Sequence, residues 1–237
     1  MSLVLWLRSD RNVTTVSGKV SQWDGITAPT IDNFIQAVAG NRPTYTNDGS
    51  GQNGRPFLDF VAASNTRLGD NAYAGWAAGT GTYMAVVINN TSTSGTQYVV
   101  SFADAGAANS RARIIAAQSS NTSGTVYLGT TDENTGTAAA TTGAQVIEVF
   151  RNTVTDKLEL WRAGVRLSQS SAVAVDTTGD TPVEVMIGDS AWTGAPFDGH
   201  LYEVVVANVD PTNAQLAQLS DYWHRRYGLK GCSKLTA

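Results

Sequence analysis

Short runs of β-branched and aromatic residues alternate along this 237-residue chain with clusters of Gly, Asn, Asp and Ser. Several runs place apolar residues at every second position, the period of a strand that buries one face. Strands are predicted at 3–7, 20–23, 57–60, 82–88, 97–102, 111–117, 125–128, 145–151, 157–162, 165–169, 183–187 and 201–207. The clearest pair is the hairpin at 157–167. There Leu158 and Leu160 share one face and Glu159 and Trp161 the other, while Gly164 supplies the positive φ of a tight turn.

One segment follows a helical period instead. Leu216, Leu219, Trp223 and Tyr227 fall at i, i+3, i+7 and i+11, a single stripe on a helix predicted at about 211–227. Asp210 is placed to cap its start and Pro211 suits its first position. Gly228 suits a left-handed stop, and Arg225 and Arg226 complement the dipole at the end. The aromatic stripe should dock this helix on the strands. No repeat and no Pro/Ser linker divides the chain, so one domain over 1–229 is expected, followed by a short polar tail at 230–237.

Composition narrows the class. Six Trp and eight Tyr exclude disorder, and 15% charged residues with abundant small ones suit many strands joined by turns. A net charge of −4, with 16 Lys and Arg scattered along the chain, leaves no basic stripe for phosphates and argues against nucleic acid. No apolar run is long enough for membrane insertion as a helix, and the first residues lack the form of a signal peptide.

The order of four stretches carries a family resemblance. They are Leu5-Trp6-Leu7-Arg8-Ser9-Asp10 with Trp23-Asp24; Asn41-Arg42-Pro43-Thr44-Tyr45 with Asn53-Gly54-Arg55-Pro56-Phe57; the 157–167 hairpin; and Gly188 through Phe197-Asp198-Gly199-His200-Leu201-Tyr202, closed by Arg226-Tyr227-Gly228-Leu229. In this order they resemble the bacterial and phage laminin G-like branch of the concanavalin A-like lectin/glucanase superfamily, although Ala163-Gly164 stands where that branch has Asp-Gly. The resemblance implies an all-β, two-sheet antiparallel jelly-roll sandwich with one C-terminal helix packed on it. It also implies function on loops or on the concave face.

Some members of that superfamily are glycanases, which need two carboxyls on one face of a strand or across a cleft. Their acidic pattern is absent here. Asp156 and Glu159 are three apart, and Asp132-Glu133 sit in a Thr/Gly-rich stretch expected to be a loop. His200 and His224 have no metal-ligand spacing around them. No catalytic residue is assigned and a non-enzyme is expected.

Sugar sites pair exposed aromatics with polar groups on rim loops. Two loops fit. One holds Asp189 and Trp192, the other Tyr73 and Trp76, though a loop Trp in such a fold more commonly plugs the end of the core. The resemblance also implies a rim calcium, for which Asp104 and Asn109 match best by position; an ordinary solvated loop accounts for both as well. Cys232 is expected to be exposed in the tail, an idle thiol or a bridge between subunits.

Two functional readings follow. One is a non-catalytic, lectin-like recognition module that binds a glycan or surface polymer through rim loops. The other is a structural or adhesion protein of a particle, such as a phage capsid decoration or fibre protein, with other subunits as partners. Either acts at an extracellular surface or on a virion, and either allows a homo-oligomer.

Overall fold

The computed structural model describes residues 3–27, 33–70, 72–73, 83–103, 110–118, 121–128, 131–155, 157–170, 184–190, 194–207 and 209–235, with the backbone alone for those between 110 and 137. The described strands are β1 (Leu3–Arg8), β2 (Val13–Val16), β3 (Lys19–Asp24), β4 (Asn33–Ile35), β5 (Thr44–Thr46), β6 (Phe57–Phe60), β7 (Leu68–Asp70), β8 (Tyr83–Asn90), β9 (Thr96–Ala103), β10 (Ser110–Gln118), β11 (Asn121–Leu128), β12 (Thr131–Ala139), β13 (Gly143–Asn152), β14 (Lys157–Arg162), β15 (Val165–Gln169), β16 (Glu184–Ile187) and β17 (Gly199–Ala207). The helix α1 (Asn213–Tyr227) follows them.

The strands pair antiparallel into two layers. One layer runs β1–β17–β8–β13–β14–β15, with β6 replacing β1 beside the start of β17. The other runs β7–β16–β9–β10–β11–β12. Strands β2 to β5 link the edges of the two.

The central strands of the first layer, β17, β8 and β13, are buried on both faces, which is why they read as nearly unbroken apolar runs. On β8, Met84, Val86 and Ile88 enter the core between the layers, and Tyr83, Ala85 and Val87 enter a second core under α1. On β13, Ile147 and Val149 point one way and Val146 and Phe150 the other. The facing layer contributes Val100, Phe102, Val185 and Ile187. Each large apolar side chain so buried stabilises the fold by about 1.5–3 kcal/mol.

All twelve predicted strands are present, and the 157–167 hairpin turns at Ala163 and Gly164, both at positive φ. The pattern missed β2, β4, β5 and β7, each three or four residues long. It also missed β12, whose TDENTGTAA sequence has no apolar alternation yet pairs with β11. Asp132 and Glu133 therefore lie in a strand, opposite Tyr127 and Val126, and not in a loop.

The helix starts later than its sequence suggests. Its cap is Thr212, whose hydroxyl accepts from the Gln215 N–H at 3.3 Å while the Gln215 side chain accepts from the Thr212 N–H at 2.8 Å. Asp210 precedes a proline, which disfavours the helical conformation there, and it pairs instead with Arg151 at 3.1 Å. The far end is as expected: Gly228 is left-handed at φ 70°, and its N–H donates to the His224 carbonyl. Leu216, Trp223 and Tyr227 are buried, and Leu219 packs against the same core.

The expected polar tail is also corrected. Cys232 is fully buried and Leu235 nearly so, because the Cys232 N–H donates to the buried Glu148 carboxylate at 2.5 Å and the Leu235 N–H donates to Asn213 Oδ1 at 2.5 Å. Burial and the nearby Glu148 push the Cys232 thiol up to about 12, and with no exposed surface the side chain offers no access to another chain while the tail is docked.

Trp223 has no exposed surface, and its indole N–H has no acceptor among the described residues. Trp223→Ala should therefore cost about 3–5 kcal/mol in urea unfolding. Trp223→Phe should recover at least about half of that loss, since it keeps most of the packing and removes an unsatisfied donor. A loss below about 0.5 kcal/mol for the alanine variant would overturn the docking.

Candidate functional site

Residues 188–199 leave the second layer at β16 and enter the first at β17, and a glycine is required at each end. A Cβ on Gly188, at φ 81°, would lie 2.2 Å from the Phe60 ring. One on Gly199, at φ 157°, would lie 2.5 Å from the Asn89 carbonyl oxygen. The base of the loop is closed where the Phe197 N–H donates to the Gly188 carbonyl at 2.9 Å.

The β8–β9 turn stands against this loop. The Tyr98 N–H donates to the Ala195 carbonyl at 3.0 Å, and the Thr91 hydroxyl donates to the Asp198 carbonyl at 2.8 Å. Gln97 locks both sides: its amide donates to the carbonyls of Ser92 and Ser94 at 3.1 and 2.9 Å and accepts from the Asp198 N–H at 3.2 Å. At 3% exposure, Gln97 holds the turn in place and has little surface to offer a ligand.

Between turn and loop lies a cleft of about 540 Å³. One wall is Ser92, Ser94, Gly95, Thr96, Gln97 and Tyr98, and the other is Gly194, Ala195 and Pro196, with Ala62 beside them. The Ser92 and Ser94 hydroxyls are 3.0 Å apart. The described lining thus offers hydroxyls, peptide groups and small apolar surfaces, with no carboxylate, imidazole, thiol, ammonium or guanidinium. Such a surface can hold a polyhydroxylated molecule by directed hydrogen bonds and by contact with its apolar faces.

Two of the residues proposed from sequence as ligand contacts turn inward. Asp189 has no exposed surface: it pairs with Arg67 at 3.0 Å and accepts from the Ser190 N–H at 2.7 Å, so it anchors the loop. Tyr73 is 1% exposed, packs edge-on to Phe102 at 5.6 Å and belongs to the core between the layers. Trp192, Trp76, Asp104 and Asn109 lie outside the described residues. Among the described residues no group of three His, Cys, Asp or Glu could hold a metal ion. The loop that the sequence singled out supplies the Gly194–Ala195–Pro196 side of this candidate cleft, while the serine-rich turn facing it, and Tyr98 beyond it, were not singled out.

Among the described residues three glutamates, Glu148, Glu159 and Glu203, are fully buried, and none lines the cleft. Glu148 accepts from the Tyr83 hydroxyl at 2.7 Å and from the Cys232 N–H. Glu159 accepts from Asn152 Nδ2 at 2.9 Å, the Trp161 indole at 2.7 Å and Arg166 at 2.9 Å. Glu203 accepts from the Trp6 indole at 2.6 Å and the hydroxyls of Tyr227 and Tyr222 at 2.9 and 3.2 Å. His200 stacks on Phe57 at 4.0 Å with Asp59 at 3.6 Å; burial holds its pKa below the usual value, against the pull of Asp59. His224 is exposed on α1.

No family model matches the sequence, and no curated protein matches it either. Solved structures do match. The binding domain of Paraclostridial Mosquitocidal Protein 1 aligns over 93% of this chain with a TM-score of 0.59 at 11% identity, and this chain spans about half of it, 52%. Domain 4 of AbnA, a GH43 extracellular arabinanase from Geobacillus stearothermophilus, solved with arabinotriose, aligns over 90% of this chain and 96% of its own, with a TM-score of 0.58 at 12% identity. The Ruminococcus gnavus IT-sialidase CBM40, solved with α2,3 sialyllactose, aligns over 89% and 95%, with a TM-score of 0.50 at 12% identity. What is shared at these identities is the fold, an antiparallel β-sandwich.

The buried carboxylates give the fold a pH dependence. Burial pushes Glu148 and Glu203 each up to about 7 from 4.5, against the donors that favour their charged forms. In that window the folded chain keeps protons that the unfolded chain has released. The stability these groups contribute is complete below the unfolded value and is lost as pH rises through about 7. Urea unfolding should show the wild type losing on the order of 1–3 kcal/mol between about pH 5 and pH 8. Glu148→Gln, which keeps an acceptor for the Cys232 N–H, should flatten part of that fall; parallel curves would overturn the assignment.

Proposed function

We propose that this chain is a non-catalytic, lectin-like module that holds a glycan or surface polymer in the cleft between the β8–β9 turn and Gly194–Ala195–Pro196. The observation that carries the reading is the cleft itself: neighbouring hydroxyls and peptide groups, an apolar edge, and no acid or base among its described lining. Sugar hydroxyls both donate and accept, as serine and threonine hydroxyls do, so the two surfaces match without charge. The fold supports the reading, because the AbnA domain and CBM40 that share it were solved with arabinotriose and sialyllactose. Fold alone does not license function, which is why the cleft bears the argument. We also propose the laminin G-like branch as the chain's place within this fold, on the ordered motifs, and an extracellular or virion surface as its place of action.

Trp192 stands two residues before the Gly194 wall in the chain, so it remains a proposed contact. Glycan-array binding followed by affinity electrophoresis tests the site. Ser94 is exposed on the cleft wall, so Ser94→Trp should fill the cleft and weaken glycan retention about tenfold or more, with a stability change within about 0.5 kcal/mol. Trp192→Ala should weaken retention with the unfolding midpoint nearly unchanged. Full retention by Ser94→Trp would remove the cleft as the site.

A further inference from the structure

We infer that the cleft selects uncharged glycans and discriminates against those carrying carboxylates or sulfates. The inference rests on the proposal that this cleft is the glycan site. Its basis is the charge around the cleft as well as the lining. The described lining carries no cation, so a carboxylate or sulfate entering it would lose water without gaining a charged partner.

A carboxylate bonded to the cleft lining makes an anion less welcome still. Asp198 is tied to Gln97 through its N–H, and its carboxylate accepts from the N–H of Ala62, a lining residue, at 3.4 Å. The guanidinium of Arg67, which contacts the loop, is already paired with the buried Asp189 at 3.0 Å. Arg67 therefore reaches the loop as half of a neutral pair. An incoming anion would thus find the Asp198 carboxylate behind Ala62 and no cation in the described lining. A sugar hydroxyl meets the Ser92 and Ser94 hydroxyls, which can act as donor or acceptor as the ligand requires.

The test is affinity electrophoresis and titration of the full chain against matched probes: dextran and dextran sulfate, galactan and polygalacturonate, lactose and 3′-sialyllactose. The neutral member of at least one pair should be retained, its charged counterpart about tenfold more weakly or worse. Affinity for the neutral member should not change between about 0.05 and 0.5 M salt. Ser94→Arg, which places a guanidinium on the wall, should narrow the gap within that pair by about tenfold. Equal retention of both members, or retention of charged members with a steep salt dependence, overturns the selectivity and leaves glycan binding standing. A gap unmoved by Ser94→Arg places the ligand elsewhere and overturns the inference as well. Retention of no probe by either protein removes the proposed function itself.

Discussion

The carboxylate of Glu203, buried under α1, ties its own strand β17 to β1 and to the helix. A buried carboxylate costs several kcal/mol unless its oxygens find donors, and these come from Trp6 on β1 and from Tyr222 and Tyr227 on α1. Arg226 extends the same cluster to Asp10 at 2.7 Å, and Gln52 and Asn53 donate to the carbonyls of Tyr227 and Arg226 at 2.8 and 2.9 Å. The helix therefore docks in a register fixed by hydrogen bonds as well as by its apolar stripe. The geometry depends on a bulge: pairing with β8 shifts between Leu201 and Glu203, which turns Tyr202 and Glu203 to the same side. With strict alternation from Leu201, Glu203 would point into the apolar core between the layers.

This network explains what the sequence made legible. Parts of the stretches that carry the family resemblance, around 5–10, 52–57, 200–203 and 226–229, converge on Glu203 and the helix end, whereas the 157–167 hairpin lies elsewhere in the first layer. They specify how the fold is closed, so their order reports architecture. The long strands were legible because burial on one or both faces demands apolar side chains. The short linking strands β2, β4, β5 and β7 were not, and β12 carries its register in backbone pairing with β11 and in no side-chain pattern. The helix cap was misassigned because Asp210, Pro211 and Thr212 all favour a helix start, and only the reciprocal bonds of Thr212 and Gln215 choose among them.

The site was harder to read for a different reason. Sequence reasoning looks for aromatic and acidic residues, and in Tyr73 and Asp189 those are the groups that fill the core and anchor the loop. The cleft is instead walled mostly by Ser92, Ser94, Gly95, Thr96, Ala195 and Pro196, residue types that mark any turn in a chain this rich in them, and the one aromatic of its described lining, Tyr98, is nearly buried. What makes them a candidate site is placement. Gly188 and Gly199 allow the loop to leave and rejoin the layers without clash, and the buried amide of Gln97 holds turn and loop together.

Strand β17 joins the cleft to the Glu203 network. Asp198 lies at its start, bonded to Gln97, and Glu203 lies five residues on, at about 3.3 Å of rise per residue. The cleft is thus mounted on a strand that pairs with β1, β6 and β8 and, through Glu203, bonds to the helix. A site fixed in this way loses little conformational entropy when a ligand enters, which matters where no ion pair adds affinity. Neutral hydroxyl contacts exchange one set of hydrogen bonds for another, so each adds little net free energy. Discrimination in such a cleft has to come from the spacing and direction of its hydroxyls and from the cost of stripping water from any charge that enters. Both depend on the rigidity that the buried glutamate and amide provide.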